Sequence, residues 1–150
     1  MKIRVKKLHP NAVLPYKQDG HDNDFCYDCV AVSCEEIAPN IYKYGLGLAF
    51  EIIREDGKSE IITDIDGRPR SSIWKTGMSL SNCIATIDEP YRGEVAAIFY
   101  HLFPNMPKYK VGDRVIQIHL NKTEKIEFEE VDELSETVRG TGGFGSTGNN

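Results

Sequence analysis

A chain of 150 residues is long enough for one domain with a continuous core and too short for two ordinary ones. Its 40% hydrophobic and 27% charged residues exclude disorder over most of the length. The net charge of −5, from 18 basic and 23 acidic residues, offers no field to draw a nucleic-acid backbone.

The N-terminal MKIRVKK has no apolar stretch behind it and does not match a secretory leader. The longest apolar run, Val95 to Phe103, is broken by His101 and is too short to cross a bilayer. Neither nucleic acid nor membrane is an expected partner. In chain order, strands are predicted over Ile3–Lys6, Tyr27–Val32, Ile41–Tyr44, Leu46–Ile53, Glu60–Asp64, Cys83–Ile87, Glu94–Tyr100, Arg114–Leu120 and Lys125–Val131. The separators carry turn chemistry: Pro39-Asn40, Asp56-Gly57, Asp66-Gly67, Glu89-Pro90 and Gly112-Asp113. Asp56-Gly57, between Phe50–Ile53 and Ile61-Ile62, is the clearest hairpin signal. One short helix is expected around Ser72–Thr76, ended by Gly77.

Arg114–Leu120 alternates, with Val115, Gln117 and His119 on one face and Arg114, Ile116, Ile118 and Leu120 on the other. That is the pattern of a strand with one core face. No long window holds a helical period, so the expected fold is all-β, a sandwich or jelly-roll-like barrel.

Cys26 and Cys29 form a C-x-x-C, yet only Cys34 and the isolated Cys83 follow, which is not the second close pair of a zinc site. Small buried thiols in a reducing cytosol are expected instead. Glu35, Glu36 and the run Glu127–Glu133 are expected to be solvated surface.

From Gly140 to Gly148 the sequence GTGGFGSTG holds five glycines and one aromatic ring, too little apolar surface to order itself. Glycine backbone N–H groups, Gly145 among them, approach phosphate oxygens closely. Ser146 and Thr147 add hydroxyl donors, and Phe144 can stack on a base. The run lacks the Gly-Lys-Ser/Thr ending of a P-loop. A floppy tail is the default for a glycine-rich terminus, but the lone ring of Phe144 and Arg139 at the root of the run point instead to a mobile lid for a phosphorylated aromatic ligand.

Five ordered segments carry a resemblance to a known family. They are Phe25-Cys26-Tyr27-Asp28-Cys29, Pro69-Arg70-Ser71-Ser72, Asn82 through Glu94 (NCIATIDEPYRGE), Gly112 through Ile118 (GDRVIQI) and Arg139 through Gly148 (RGTGGFGSTG). The chain resembles the trimeric deoxyuridine triphosphatases over residues 25–148, with Phe25-Cys26 in place of Ala-Gly and Ser72 in place of Gly. The resemblance implies a distorted jelly roll of the β-clip type over residues 1–138, with a flexible closing arm over 139–150. It also implies a cytoplasmic homotrimer with shared active sites (in the host cytoplasm if phage-encoded).

The implied reaction converts dUTP and water into dUMP and pyrophosphate by in-line attack at the α-phosphorus. Asp88 would orient and deprotonate the water, although an Asp before Glu89-Pro90 also suits a turn. Tyr91 would lie under the deoxyribose and exclude a 2′-hydroxyl. The arm Asn82–Ile87 would read uracil as a tight hairpin, with Asn82 and Ile87 at its two ends. Arg70, Ser71, Ser72 and Gln117 would hold the phosphate chain, with Arg139, Ser146 and Thr147 on its γ end and Phe144 and Gly145 over the base. Mg²⁺ is the implied cofactor, supported through water by Asp28. A dCTP deaminase, or its bifunctional relative, on the same fold is the alternative enzyme. A trimeric nucleotide-sensing regulatory module is the non-catalytic alternative.

Overall fold

The computed structural model describes residues 2–54 and 61–143. Among them the order is β1 (Lys2–Lys7), β2 (Tyr27–Val30), β3 (Ser33–Ala38), β4 (Ile41–Gly45), β5 (Leu48–Ile53), β6 (Ile61–Pro69), a 3-10 turn (Ser71–Lys75), β7 (Met78–Leu80), β8 (Ala85–Asp88), β9 (Ala96–His101) and β10 (Arg114–Glu124). The fold is all-β, as expected. Three antiparallel sheets are ordered β1-β5, β2-β10-β6-β8 and β3-β4-β9-β7.

The core lies between them. Tyr44, Phe99, Leu46, Leu48, Ile65, Val115 and Ile116 are fully buried. Tyr44, Phe99 and Tyr109 meet edge to face at centroid distances of 5.4–6.2 Å. The Tyr44 hydroxyl donates to the Tyr109 carbonyl at 2.8 Å, so the ring is buried without an unpaired polar tip.

Several local expectations are corrected by tertiary context. Asp66-Gly67 is no turn: it lies inside β6, paired on one side with β10 and on the other with β8. A Cβ on Gly67 would come within 3.2 Å of Ile116 Cδ1 and 3.3 Å of Ala85 Cβ, so the glycine serves close strand packing. Asp56-Gly57 lies outside the described residues, but β5 and β6 belong to different sheets and form no hairpin within the described ladder.

β3, absent from the sequence reading, is a mostly exposed edge strand held by main-chain pairing to β4, so its sequence needs no apolar face. The strand expected at Lys125–Val131 does not form; β10 ends at Glu124 and the following residues are exposed. Of the four thiols, Cys29 is buried and Cys26 half-buried, whereas Cys34 and Cys83 are exposed. Burial pushes the Cys29 thiol up to about 12, which leaves it unreactive.

Candidate active site

The motif residues gather in two clefts. The first, of about 320 Å³, is lined by Asn82, Ile87, Asp88, Tyr91 and Glu94 among others. Asn82–Ile87 is not the expected hairpin. β7 pairs with β9 and β8 pairs with β6, so this segment is a corner where the chain passes from one sheet to another. Cys83 takes a left-handed φ of 58° in that corner.

Asp88 closes β8 with an exposed side chain, and its carbonyl accepts the Tyr91 N–H at 3.0 Å. Asp88 therefore opens a turn through Glu89-Pro90 and also presents an exposed carboxylate to the cleft. Asp64 stands directly opposite it in the ladder. Burial, then the neighbouring Asp66, raises the Asp64 carboxyl above the usual carboxylate range.

The Tyr-Arg-Gly-Glu signature builds this loop. Tyr91 folds back so that its hydroxyl donates to the Glu94 carbonyl at 3.0 Å. A Cβ on Gly93 would lie 2.4 Å from the Tyr91 hydroxyl, so only glycine admits the fold-back. The Glu94 carboxylate accepts the Gly47 N–H at 2.8 Å and ties the loop to the turn after β4. Arg92 donates to the carbonyls of Glu89 and Tyr91, and Arg54 pairs with the Glu89 carboxylate.

The second cleft, of about 450 Å³, is lined by Asp28, Arg70, Ser71, Arg114 and Gln117, with the loop before β2 as its other wall. Asp28 sits on β2, with only 16% of its side chain exposed. It accepts Arg70 Nε at 2.7 Å and Nη2 at 3.3 Å, and Arg114 Nη1 at 2.8 Å. One carboxylate thus fixes two guanidinium forks. Gln117 donates to the Pro69 carbonyl at 2.9 Å and props the Pro-Arg-Ser segment. Arg70 Nη1 reaches Ser72 Oγ at 3.4 Å, and Ser72 lies in the 3-10 turn, whose negative φ accepts a Cβ in place of glycine.

Arg114 was missed by strand alternation, which puts it on the face opposite Gln117. A register shift between Arg114 and Ile116 in the pairing with β2 lets both line the same cleft. The expectation of one core face also fails: Val115, Ile116, Ile118 and His119 are all buried, so both faces of β10 are covered. Motif membership alone could have flagged Arg114.

Arg139 lines neither cleft; its Nε donates to the Gly142 carbonyl at 2.9 Å within a small exposed turn. Phe144, Gly145, Ser146 and Thr147 lie outside the described residues. Among the described residues, no three His, Cys, Asp or Glu side chains gather to hold a metal ion directly. Asp28 Oδ2 accepts from both arginines, whereas Oδ1 accepts only from Arg70 Nε and retains a second lone pair for a water hydrogen bond. That donor set fits a cation carried by phosphates and water rather than one caged by protein.

The Asp28 clamp carries a stability consequence. Asp28→Asn removes the counter-charge of two partly buried arginines, at a cost of about 1–3 kcal/mol. The expected result is a fall in Tm of about 3–9 °C in thermal unfolding. An unchanged Tm would mean that the clamp does not form in solution.

Comparison with known proteins agrees with this arrangement. The dUTPase family profile matches residues 67–148. The deoxyuridine 5'-triphosphate nucleotidohydrolase of Helicobacter pylori is 38% identical, over 99% of this chain and 97% of that protein. The protein of the same name from Picosynechococcus sp. is also 38% identical, over 99% of both. Among solved structures, a mutant dUTPase of Staphylococcus bacteriophage 80alpha with dUpNHpp superposes with a TM-score of 0.76 at 20% identity, covering 98% of each chain. A mutant dUTPase of S. aureus phage phi11, described for its structural Mg(II) ion, gives 0.67 at 16% identity, over 91% of this chain and all of that one. At such identities the structures establish a shared fold.

Proposed function

The chain belongs to the dUTPase family, and from that membership we propose that it hydrolyses dUTP to dUMP and pyrophosphate. The observation that carries the reading is the first cleft, where an exposed carboxylate at a strand end faces a tyrosine folded over an obligatory glycine. Asp88 orients a water and takes its proton while the water oxygen bonds to the α-phosphorus and the bond to the bridging oxygen breaks. Pyrophosphate leaves. Tyr91 fills the space of a 2′-hydroxyl, and Asn82 to Ile87 read uracil through polar groups that cytosine would mismatch.

Arg70, Ser71, Ser72 and Gln117 receive the phosphate chain, with Arg70 aimed by Asp28. Ladder register places Asp88 opposite Asp64, six residues along the chain from Arg70. At about 3.3 Å per residue that is roughly 20 Å, too far for one protomer to bring both groups to one phosphorus. This supports a homotrimer with shared sites, in which the second cleft of one protomer faces the first cleft of the next. Ile126, Phe128 and Leu134, exposed at 64%, 90% and 87%, alternate with acidic residues and suit cover by a neighbouring copy.

The arm beyond Val138 closes over the nucleotide, with Arg139, Ser146 and Thr147 on the γ-phosphate and Phe144 and Gly145 over the base. When bound, Mg²⁺ would neutralise phosphate charge, and Asp28 Oδ1 would accept a hydrogen bond from a water carried with it. The free cysteines suit a reducing cytoplasm, where we place the enzyme.

The test is a turnover assay with pyrophosphate detection. Mg²⁺-dependent release from dUTP is expected, with dCTP, dTTP and UTP at least about 100-fold poorer in kcat/KM. Ammonia from dCTP would instead identify a deaminase. Nucleotide binding without product would identify a sensing module.

A further inference from the structure

The second cleft has a wall that none of the motif residues explains. The loop between Tyr16 and Phe25 starts beside Asp28, where Tyr16 and Asp28 exchange main-chain hydrogen bonds of 3.1 and 2.8 Å. Two turns shape it: the His21 N–H donates to the Gln18 carbonyl and the Asp24 N–H to the His21 carbonyl, each at 2.9 Å. Lys17 Nζ donates to the Asp22 carbonyl at 2.7 Å and braces the same loop. Lys17, His21 and Asp24 all line the cleft with Arg70, Ser71 and Gln117.

His21 Nδ1 lies 3.3 Å from Asp24 Oδ2. A carboxylate in that position holds the ring proton on Nδ1, which leaves Nε2 for the cleft. In the neutral ring Nε2 presents a lone pair, which repels phosphate oxygens. In the protonated ring it presents an N–H donor.

The charges around it reinforce this. Lys17, Arg70 and Arg114 give three permanent positive charges in the cleft lining, against Asp24 and Asp28. Protonating His21 therefore raises the net lining charge from +1 to +2. Cys26 and Tyr16 are the other titratable groups in the lining; Asp19 and Asp22, elsewhere on the same loop, would bring the count to −1 before and 0 after, and protonating His21 still adds one positive charge.

We propose that His21, aimed by Asp24, is a further ligand for the phosphate chain of dUTP and that it binds in its protonated form. The inference rests on the assignment of this cleft to the phosphates. It makes substrate affinity sensitive to pH through the loop before β2.

The test measures KM and kcat for dUTP with saturating Mg²⁺ at about pH 6 and pH 8, the range over which imidazole changes charge. The proteins compared are wild type, His21→Gln, His21→Lys and Arg70→Ala. His21→Gln is expected to raise KM about three- to fivefold at the lower pH, the size of a solvent-exposed charge contact, with the difference narrowing at the higher pH. His21→Lys, which keeps its charge throughout, is expected to hold KM low at both. Arg70→Ala is expected to raise KM at both by about tenfold or more.

A KM ratio for His21→Gln that does not change with pH, beside a raised KM for Arg70→Ala, overturns the role of His21 alone. A KM unchanged in Arg70→Ala overturns the phosphate assignment of the cleft, and this inference with it.

Discussion

Asp88→Asn is expected to lower kcat for dUTP by about a thousandfold while KM stays within about threefold of wild type. Asparagine keeps an oxygen that can orient the water but cannot take up its proton as the bond to phosphorus forms. The fold has little stake in the change. The Asp88 side chain is exposed, and its turn is closed by main-chain atoms, the Tyr91 N–H and the Asp88 carbonyl. Exposed substitutions of this kind shift stability by about 0.5 kcal/mol or less. The variant also removes a like charge from opposite Asp64 in the ladder. Steady-state kinetics and thermal unfolding on the same preparation separate the two effects. Wild-type turnover in a folded Asp88→Asn protein would take this carboxylate out of the mechanism.

A chain ending at Val138 is expected to fold and assemble as the full chain does, yet to lose about 100-fold or more of its turnover. That is the scale set by losing several groups that position and neutralise a polyanion. The arm's described residues bond locally: Gly140 N–H donates to the carbonyl of Thr137, just before the arm, Gly142 N–H to the Arg139 carbonyl, and Arg139 Nε to the Gly142 carbonyl. None of these bonds reaches the core, so the fold does not rest on the described arm residues 139–143. Size-exclusion chromatography and turnover together check both halves of the expectation. Full activity in the truncated protein would end the role of the arm. Co-refolding truncated chains with Asp88→Asn chains should restore some activity, because a mixed trimer holds sites that combine an intact carboxylate with an intact arm. No recovery from verified mixed trimers would count against shared sites.

The opposed fates of Arg114 and Gln117 show how far strand patterning carries. Strict alternation separates them, and the register shift beside β2 reunites them. Asp66-Gly67 has the composition of a turn, yet the ladders of β8 and β10 hold it extended and Gly67 is needed for close packing. β3 left little signal because an exposed edge strand is held by main-chain groups common to every sequence.

By itself the sequence determined the fold class and the reaction family. Short β-branched runs between turn residues define strands wherever they pair, and the Tyr-Arg-Gly-Glu and Arg-Gly-Thr-Gly-Gly-Phe-Gly segments are long, ordered chemical signatures. Tertiary structure alone decided that Asp28 clamps Arg70 and Arg114, that Gly93 makes room for the Tyr91 ring, and that His21 lines one cleft with Arg70, Ser71 and Gln117. Those facts depend on distances between residues far apart in the chain, which register, bulges and sheet-to-sheet corners fix and which no local pattern encodes.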